Sequence, residues 1–198
     1  MIVLNVETTG IKEAIHSITE IGAIDFSNPQ NRFFGSCRIS LTETVSEEAL
    51  RITGHTIQEL SDSSRPTLYE TIERFDEWQK NLEDITIVGQ NAKFDLNFMN
   101  EAYSRTGLKS PFGYRVIDLH SMTCGHLISR KEKVPLKNRS SNVNGDFIMQ
   151  YVGIPAEPRP YNARNSVLYG TEAFSRLMNG TNLLQEFKDY LIPSYLLK

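Results

Sequence analysis

The chain alternates between short apolar runs and longer stretches with helical periodicity, a pattern typical of an α/β domain. Met1 to Val6 is an apolar run with β-branched residues that ends at Thr-Thr-Gly, and it predicts a buried strand. Ile18 to Phe26 repeats this signal, and Arg32 to Ser40 gives a weaker third one. Because only short connections separate the three runs, they predict an antiparallel meander.

Helical spacing begins after these runs, where Pro66 opens a stretch with apolar residues at the helical period. Those residues are Leu68, Ile72, Phe75 and Leu82. The elements predicted after them are a strand at Ile85 to Gly89, a helix with Phe98, Met99 and Ala102 that stops at Gly107, a strand at Arg115 to Asp118 followed by helical sequence, a helix around Phe147 to Val152, and a helix from Ala163 to Met178 closed by Gly180. This order predicts a mixed five-stranded sheet flanked by helices.

Length and composition fit one globular domain, with 198 residues of which 39% are apolar and 23% charged. The net charge of −3 argues against a protein coated in basic residues, so any nucleic-acid contact has to be local. Cys37 and Cys124 stand far apart without a CxxC partner, which fits a reducing compartment and offers no zinc site. No signal-peptide pattern or long apolar run is present, so we expect a cytoplasmic protein without a membrane span.

We expect residues 1–180 to form the domain and residues 181–198 to form a C-terminal helical tail that packs on it or trails from it. The polar stretch from Lys131 to Asn144 predicts a loop that is too short to divide domains.

Three groups of polar residues stand at the ends of predicted elements. Asn5 and Glu7 project from the same face of the first strand, because side chains at i and i+2 share a face. The second group runs from Gly89 to Asp95, with Asp95 in the first turn of a helix, where the helix dipole favours a carboxylate. The third group, Tyr161 to Ser166, opens the last helix. Singly, each has a plain structural explanation as a strand end or a helix start.

Together and in this order, the three groups resemble the motifs of the DEDDh (DnaQ-like) 3′–5′ exonuclease family, to which polymerase proofreading subunits belong. The first family motif is Asp-x-Glu-Thr-Thr-Gly, and here Asn5 stands where the aspartate belongs. The second, Asn-x-x-Phe-Asp, is matched in full by Asn91, Phe94 and Asp95.

The third family motif is His-x-Ala-x-x-Asp, and its places are taken by Tyr161, Ala163 and Ser166. Segments between the motifs are also similar to the family. They are Glu20-Ile21-Gly22-Ala23, Ser46-Glu47-Glu48-Ala49-Leu50 with Gly54, and Val152-Gly153-Ile154-Pro155.

The resemblance implies an RNase H-like fold, with three antiparallel strands followed by two parallel ones. It also implies hydrolysis from a 3′ end with two divalent ions, Mg²⁺ or Mn²⁺, which clamp the attacking and leaving oxygens. The metal-ligand positions are then Asn5, Glu7, Asp95 and Ser166, and Tyr161 stands at the position of the general base. Only Glu7 and Asp95 keep an acid, so the site resembles a degenerate form of the family's active site.

The replacements weaken the expected chemistry. Asn5 offers a carbonyl oxygen without charge, and Ser166 is a still poorer ligand for a hard cation. A tyrosine phenol is mostly protonated at neutral pH and is a poor proton acceptor, and losing a general base typically costs about 10²–10⁴ in rate. Asp118, with His120 beside it, is a candidate to compensate, although such an aspartate also caps helices. Glu172 is rotated away from the face of Ser166.

The resemblance further implies that a single-stranded or 3′-ended DNA or RNA binds with its terminal nucleotide near Thr8, Thr9, Gly10 and Asn91. A basic cluster is a second candidate for contact with backbone phosphates, and a solvated loop explains it equally well. The cluster consists of Arg130, Lys131, Lys133, Lys137 and Arg139, interrupted by Glu132.

Three functions follow from the sequence. We favour a degenerate exonuclease-family member that still holds a nucleic-acid end. The second is an active exonuclease represented by a deliberately inactivated variant, for which Asn in place of Asp is a usual choice. The third is a protein-interaction domain without nucleic acid.

Overall fold

The centre of the fold is a five-stranded mixed sheet, seen in a computed structural model that describes residues 1–40 and 42–197. The strand order is β3-β2-β1-β4-β5. The strands are β1 (Ile2–Thr8), β2 (Ile18–Asp25), β3 (Arg32–Ser36), β4 (Ile87–Gly89) and β5 (Val116–Asp118). β1, β2 and β3 pair antiparallel, whereas β4 and β5 run parallel to β1. The predicted meander and the RNase H-like sheet are confirmed.

Seven α-helices flank the sheet within the described residues. They are α1 (Glu47–Thr53), α2 (Ile57–Leu60), α3 (Leu68–Gln79), α4 (Ala92–Thr106), α5 (Leu119–Ser129), α6 (Gly145–Tyr151) and α7 (Ala163–Asn179). The helix predicted from Pro66 begins only at Leu68, because Thr67 caps it by accepting a hydrogen bond from the Glu70 amide. Leu82 lies beyond its end and still packs against the core. Within the described residues, no helix has an apolar stretch long enough to cross a bilayer.

Both faces of the sheet are covered, which explains why β1 reads as a continuous apolar run. Ile2, Leu4 and Val6 point into one core, together with buried residues of α3 and α4. Val3 points into the other core, together with buried residues of α5, α6 and α7. Asn5 and Glu7 follow Val3 on this second face, because side chains alternate along a strand. The second core therefore ends in polar side chains at the carboxyl end of β1.

A short hairpin stands where the sequence predicted only a loop. β6 (Leu136–Lys137) and β7 (Ser140–Ser141) pair antiparallel. The turn residues Asn138 and Arg139 have φ values of 51° and 65°, and Asn tolerates this left-handed region better than most residues. Strands of two residues are too short to show an alternating pattern, so no sequence pattern predicts this hairpin.

Gly22 of β2 allows the start of α7 to cross close above the sheet. A Cβ at this position would overlap the carbonyl oxygen of Ala163, the first residue of α7. The carboxylate of Glu20 accepts a hydrogen bond of 3.0 Å from the Ala163 amide, and Asn162 caps the helix through Asn165. These contacts fix the first turn of α7 next to β1.

The residues after α7 include two short 3-10 helices, Gln185–Phe187 and Ser194–Leu196. The expected tail ended at Lys198, which lies outside the described residues. Leu184, Phe187 and Leu196 are buried in the core that contains Val3.

An ion pair inside α7 holds this C-terminal segment. Glu172 and Arg176 are both fully buried, and their side chains meet at 2.8 Å. Glu172 also accepts hydrogen bonds from the amides of Leu183 and Leu184. Arg176 donates to backbone carbonyl oxygens on both sides of α7, namely those of Val152, Gly153, Phe187, Tyr190 and Leu191. The buried charges of Glu172 and Arg176 are therefore both paired and hydrogen-bonded.

We expect Arg176→Met to lower the free energy of unfolding by about 3–5 kcal/mol, because it leaves the buried Glu172 carboxylate without its partner. Urea unfolding followed by circular dichroism measures this change. The control is Arg51→Ala, which breaks the exposed pair with Glu48 and is expected to cost less than about 1 kcal/mol. Equal losses in the two variants would contradict the structural role given to Arg176.

Candidate active site

A cleft of about 230 Å³ opens at the carboxyl end of β1, between this strand, β4 and the helices α6 and α7. Asn5 and Glu7 enter it from β1, and Tyr161 and Ser166 enter it from the start of α7. Gly170, one helical turn after Ser166, also lines the cleft, whereas Glu172 does not. The first and third sequence motifs, 150 residues apart in the chain, thus share one cavity.

Glu7 is the acid at the centre of the cleft, and its environment disfavours ionisation. Burial, followed by repulsion from Glu20, Glu157 and Asp95, raises the pKa of Glu7 to about 8. Glu20 is its cross-strand neighbour on β2. The Glu7 carboxyl therefore retains its proton at neutral pH unless a positive charge approaches it.

Glu20 has the opposite electrostatic character. Burial would raise its pKa, but hydrogen bonds from His55 and from the Ala163 amide outweigh this effect and hold the pKa below its usual value. The distance from Nε2 of His55 to the Glu20 carboxylate is 3.1 Å. Glu20 therefore serves the start of α7 and His55, and it does not line the cleft.

Asp95 lies behind β1 and not on the wall of the cleft. Its side chain is buried, and Oδ1 accepts a hydrogen bond of 2.9 Å from the Val6 amide. β4 pairs with β1 only at Ile2 and Val3, so Asp95 provides an acceptor for an amide further along β1. Burial raises the pKa of Asp95 to about 8 despite this hydrogen bond.

Glu157 is a site residue that the sequence motifs did not reveal. It belongs to the segment between α6 and α7, and its carboxylate accepts a hydrogen bond of 2.7 Å from Oγ of Ser166. Burial is the main cause that raises the pKa of Glu157 to about 7. The only local signal was an acid between Pro155 and Pro158, close before the third motif. Such an acid in a proline-rich loop is ordinarily exposed, so the sequence did not mark it.

Asp118 and His120, considered as a compensating pair, have structural partners instead. Asp118 caps α5 through the Ser121 amide, at 3.0 Å, and its other oxygen accepts from the Ala92 amide at the start of α4. His120 hydrogen-bonds Ser141 of the hairpin. Neither residue lines the cleft.

The four residues expected near a terminal nucleotide also lie outside the cleft wall. Thr9 is buried and donates to the Thr44 carbonyl, whereas Thr8 donates to the carbonyl of Gly10. Asn91 is exposed with a left-handed backbone, at φ 59°, between β4 and α4. Their contact with a substrate remains a prediction.

The basic cluster is exposed on the turn after α5 and on the hairpin. Arg130 pairs with Glu132 at 2.6 Å and lies over the ring of Tyr195. Lys131, Lys133, Lys137 and Arg139 are exposed and form no ion pair with any residue that the structure describes, so they present positive charge to solvent.

Comparison with known proteins shows the family to which the chain belongs. A family model described as RNase_T, exonuclease, matches residues 2–144, which is more than half of the chain and includes the first two motifs. The chain belongs to this exonuclease family.

Two exonuclease-family relatives illustrate the similarity. The chain is 31% identical over 112 residues to DNA polymerase III PolC-type of Bacillus cereus, covering 54% of this chain and 7% of PolC. It is 30% identical over 128 residues to the 3′-5′ DNA exonuclease Cap18 of Escherichia coli, covering 62% of this chain and 66% of Cap18. The matched region thus spans less than two thirds of either relative.

Solved structures share the exonuclease-family fold. Cell-death related nuclease 4 (CRN-4) superposes with a TM-score of 0.70 at 18% identity, over 91% of this chain and 64% of that one. E. coli exonuclease I in complex with a dA16 oligonucleotide superposes with a TM-score of 0.71 at 18% identity, over 90% of this chain and 40% of that one.

Exonucleases of this family generally use divalent metals. Among the described residues, no three Asp, Glu, His or Cys side chains converge closely enough to hold a metal ion. Two amide oxygens, Oδ1 of Asn5 and Oε1 of Gln90, are buried and accept no hydrogen bond within the described part of the chain. Both residues line the cleft with Glu7. Unpartnered oxygens beside a carboxyl group fit a hard cation.

We expect Glu7→Gln to stabilise the metal-free protein at alkaline pH. Folding raises the pKa of Glu7 from 4.5 to about 8, so the folded state binds the proton more tightly than the unfolded state. The stability that this residue contributes is therefore complete below pH 4.5 and is lost as the pH rises through about 8. Glutamine has no charge to bury and escapes this loss.

Thermal unfolding with a chelator present measures the effect. Near pH 5 the two proteins should unfold at similar temperatures, and near pH 9 the variant should be more stable by about 1–3 kcal/mol. A difference that does not change with pH would mean that the Glu7 carboxyl ionises as freely in the folded protein as in the unfolded one.

Proposed function

We propose that this exonuclease-family domain binds the 3′ end of single-stranded nucleic acid in the cleft and is impaired in hydrolysing it. One observation carries the proposal: Asn5, Tyr161 and Ser166, the three positions that depart from the family motifs, line the same cleft as Glu7. The chemistry of the cleft has changed, while the sheet and helices that form it are intact.

The charge of the cleft supports impairment. Two divalent ions carry four positive charges, and the two-metal scheme needs acids that hold both ions against the reacting oxygens. Asn5 and Ser166 supply no charge, and the Asp95 carboxylate is directed at the Val6 amide. Tyr161 at the position of the general base adds a second deficit, since a protonated phenol does not accept a proton from water at neutral pH.

The relatives support the class of ligand. Cap18 is named a 3′-5′ DNA exonuclease, and exonuclease I has been crystallised with dA16 and dT13 oligonucleotides. We propose single-stranded DNA as the first ligand to test, with RNA as the alternative. The exposed side chains of Lys131, Lys133, Lys137 and Arg139 would contact backbone phosphates, a contribution that is blind to sequence and sensitive to salt.

We further propose that residues 1–180 form the nucleic-acid-binding unit and that residues 181–198 act as a tail that supports α7. The buried contacts of Arg176 with Phe187 and Tyr190 favour this division of roles.

We expect fluorescence anisotropy to detect binding of a labelled linear single strand, with an affinity that falls as salt rises. A circular single strand of the same sequence is the control, because it has phosphates but no 3′ end. Weaker binding of the circle supports recognition of the end. An interaction domain without a nucleic-acid role would bind neither strand at low salt.

We expect the unsubstituted protein to digest labelled single-stranded DNA slowly or not at all with Mg²⁺ or Mn²⁺. The variant Asn5→Asp/Tyr161→His/Ser166→Asp should gain at least about 10²-fold in rate, since it regains a general base and two ligand charges. Adding Glu7→Ala to this variant is the control and should abolish the gain. Rapid digestion by the unsubstituted protein, lost on Glu7→Ala, would contradict the proposed impairment.

A further inference from the structure

Glu157 brings a carboxylate to the place where the third motif has lost one. Ser166 occupies the position of the family's last acid, and its hydroxyl donates to Oε1 of Glu157 at 2.7 Å. Both residues line the cleft together with Asn5 and Glu7. Because Ser166 is in the first turn of α7, this hydrogen bond orients the Glu157 side chain from a helix whose position is fixed on the sheet.

The cleft offers these acids no positive side chain. None of the residues that line it is a lysine, arginine or histidine. The nearest guanidinium by sequence, that of Arg159, donates to Asp146 at 2.9 Å and lies 5.1 Å from the ring centre of Tyr161. Asp146 is therefore paired with Arg159, which also attracts the Glu157 carboxylate, whereas Glu7 has no partner of opposite charge among the described residues.

Unpartnered oxygens complete the surroundings. Oδ1 of Asn5 and Oε1 of Gln90 are buried, line the same cleft and accept no hydrogen bond from any described residue. A buried acceptor without a donor costs about 1–3 kcal/mol, so two of them in one small cavity require an explanation. Carboxylate and amide oxygens are the ligands that a hard divalent cation prefers.

We propose that Glu157 replaces the acid missing at Ser166 and, with Glu7 and the amide oxygen of Asn5, holds a single divalent cation in the cleft. This inference rests on the proposed function in treating the cleft as the family's altered active site. It goes beyond it by assigning to a loop residue the charge that the motif has lost.

The available charge limits the site to one ion. Glu7 and Glu157 together carry two negative charges when ionised, which balances one Mg²⁺ or Mn²⁺. A second ion would need further acids, and the Asp95 carboxylate behind β1 is directed at the Val6 amide. A single ion serves to hold a phosphate of the bound strand, whereas the two-metal scheme needs a second ion for the attacking oxygen.

The test is Mn²⁺ binding to the chelator-treated protein without nucleic acid. The electron paramagnetic resonance signal of the free ion measures how much Mn²⁺ is bound. We expect one Mn²⁺ per chain, and we expect Glu157→Gln to weaken its binding by about tenfold or more. The matched control is Asp146→Asn, which removes a carboxylate of the same cleft that is already paired with Arg159 and should change the affinity little.

A second variant, which moves the acid back to position 166, distinguishes a metal ligand from a residue that only supports the fold. Glu157→Gln/Ser166→Asp keeps one acid at this point of the cleft and should recover most of the affinity that Glu157→Gln loses. A residue that only supports the fold would not be rescued by an acid at position 166. Circular dichroism of Glu157→Gln shows separately whether the single variant retains its fold.

Two results would overturn the inference. The first is that the unsubstituted protein binds no more Mn²⁺ than Glu7→Gln/Glu157→Gln. The second is that Glu157→Gln binds Mn²⁺ as tightly as the unsubstituted protein. Oligonucleotide binding, measured separately, distinguishes this inference from the proposed function. If Mn²⁺ binding depends on Glu157 but no strand binds, only the proposed function is refuted. If a strand binds but Glu157→Gln leaves the Mn²⁺ affinity unchanged, only the inference is refuted.

Discussion

The chemistry of this domain depends on acidic side chains that are partly or fully buried at a cleft whose lining has no positive side chain. Glu7 and Glu157 line the cleft, and Asp95 lies behind its wall. Like charges at short range in a poorly hydrated cavity repel strongly, so these groups hold protons or a cation. Burial is the largest cause of the raised pKa of all three carboxyls, and repulsion from neighbouring acids adds to it. What occupies the cleft decides whether it binds a strand or cuts one.

The fold preserves this cleft although its motifs have changed. Gly22 lets α7 approach β2, and Glu20 receives the first amide of the helix. At the other end of α7, the buried pair of Glu172 and Arg176 ties the helix to the segments around it. These contacts place Ser166 beside β1 whatever side chain stands at position 166. Structural constraint and catalytic constraint are therefore separable in this family member.

Regular periodicity made most of the fold predictable. β1 and α7 were found because apolar positions recur over many residues, and the caps at Gly107 and Gly180 lie where the sequence placed the helix ends. The hairpin at Leu136–Lys137 was not predictable, because two residues do not define a period. Asn5 and Glu7 were correctly expected on one face, since alternation along a strand is a local rule.

Contacts between distant segments were beyond the reach of the sequence. The position of Asp95 in the first turn of α4 was predicted, but its hydrogen bond to Val6 joins residues 89 positions apart. Glu157 was missed for the same reason, since its role depends on the path of the loop before α7 and on Ser166. A sequence motif identifies acids by their position in the chain, whereas only the folded chain shows which distant acids share a cavity.

Anomalous diffraction from crystals grown with Mn²⁺ and a 3′-ended single strand tests the central claim most directly, because it counts the ions in the cleft. Our account predicts one manganese peak, in contact with Glu7 and Glu157, beside an intact strand. Two manganese peaks next to a shortened strand would contradict it.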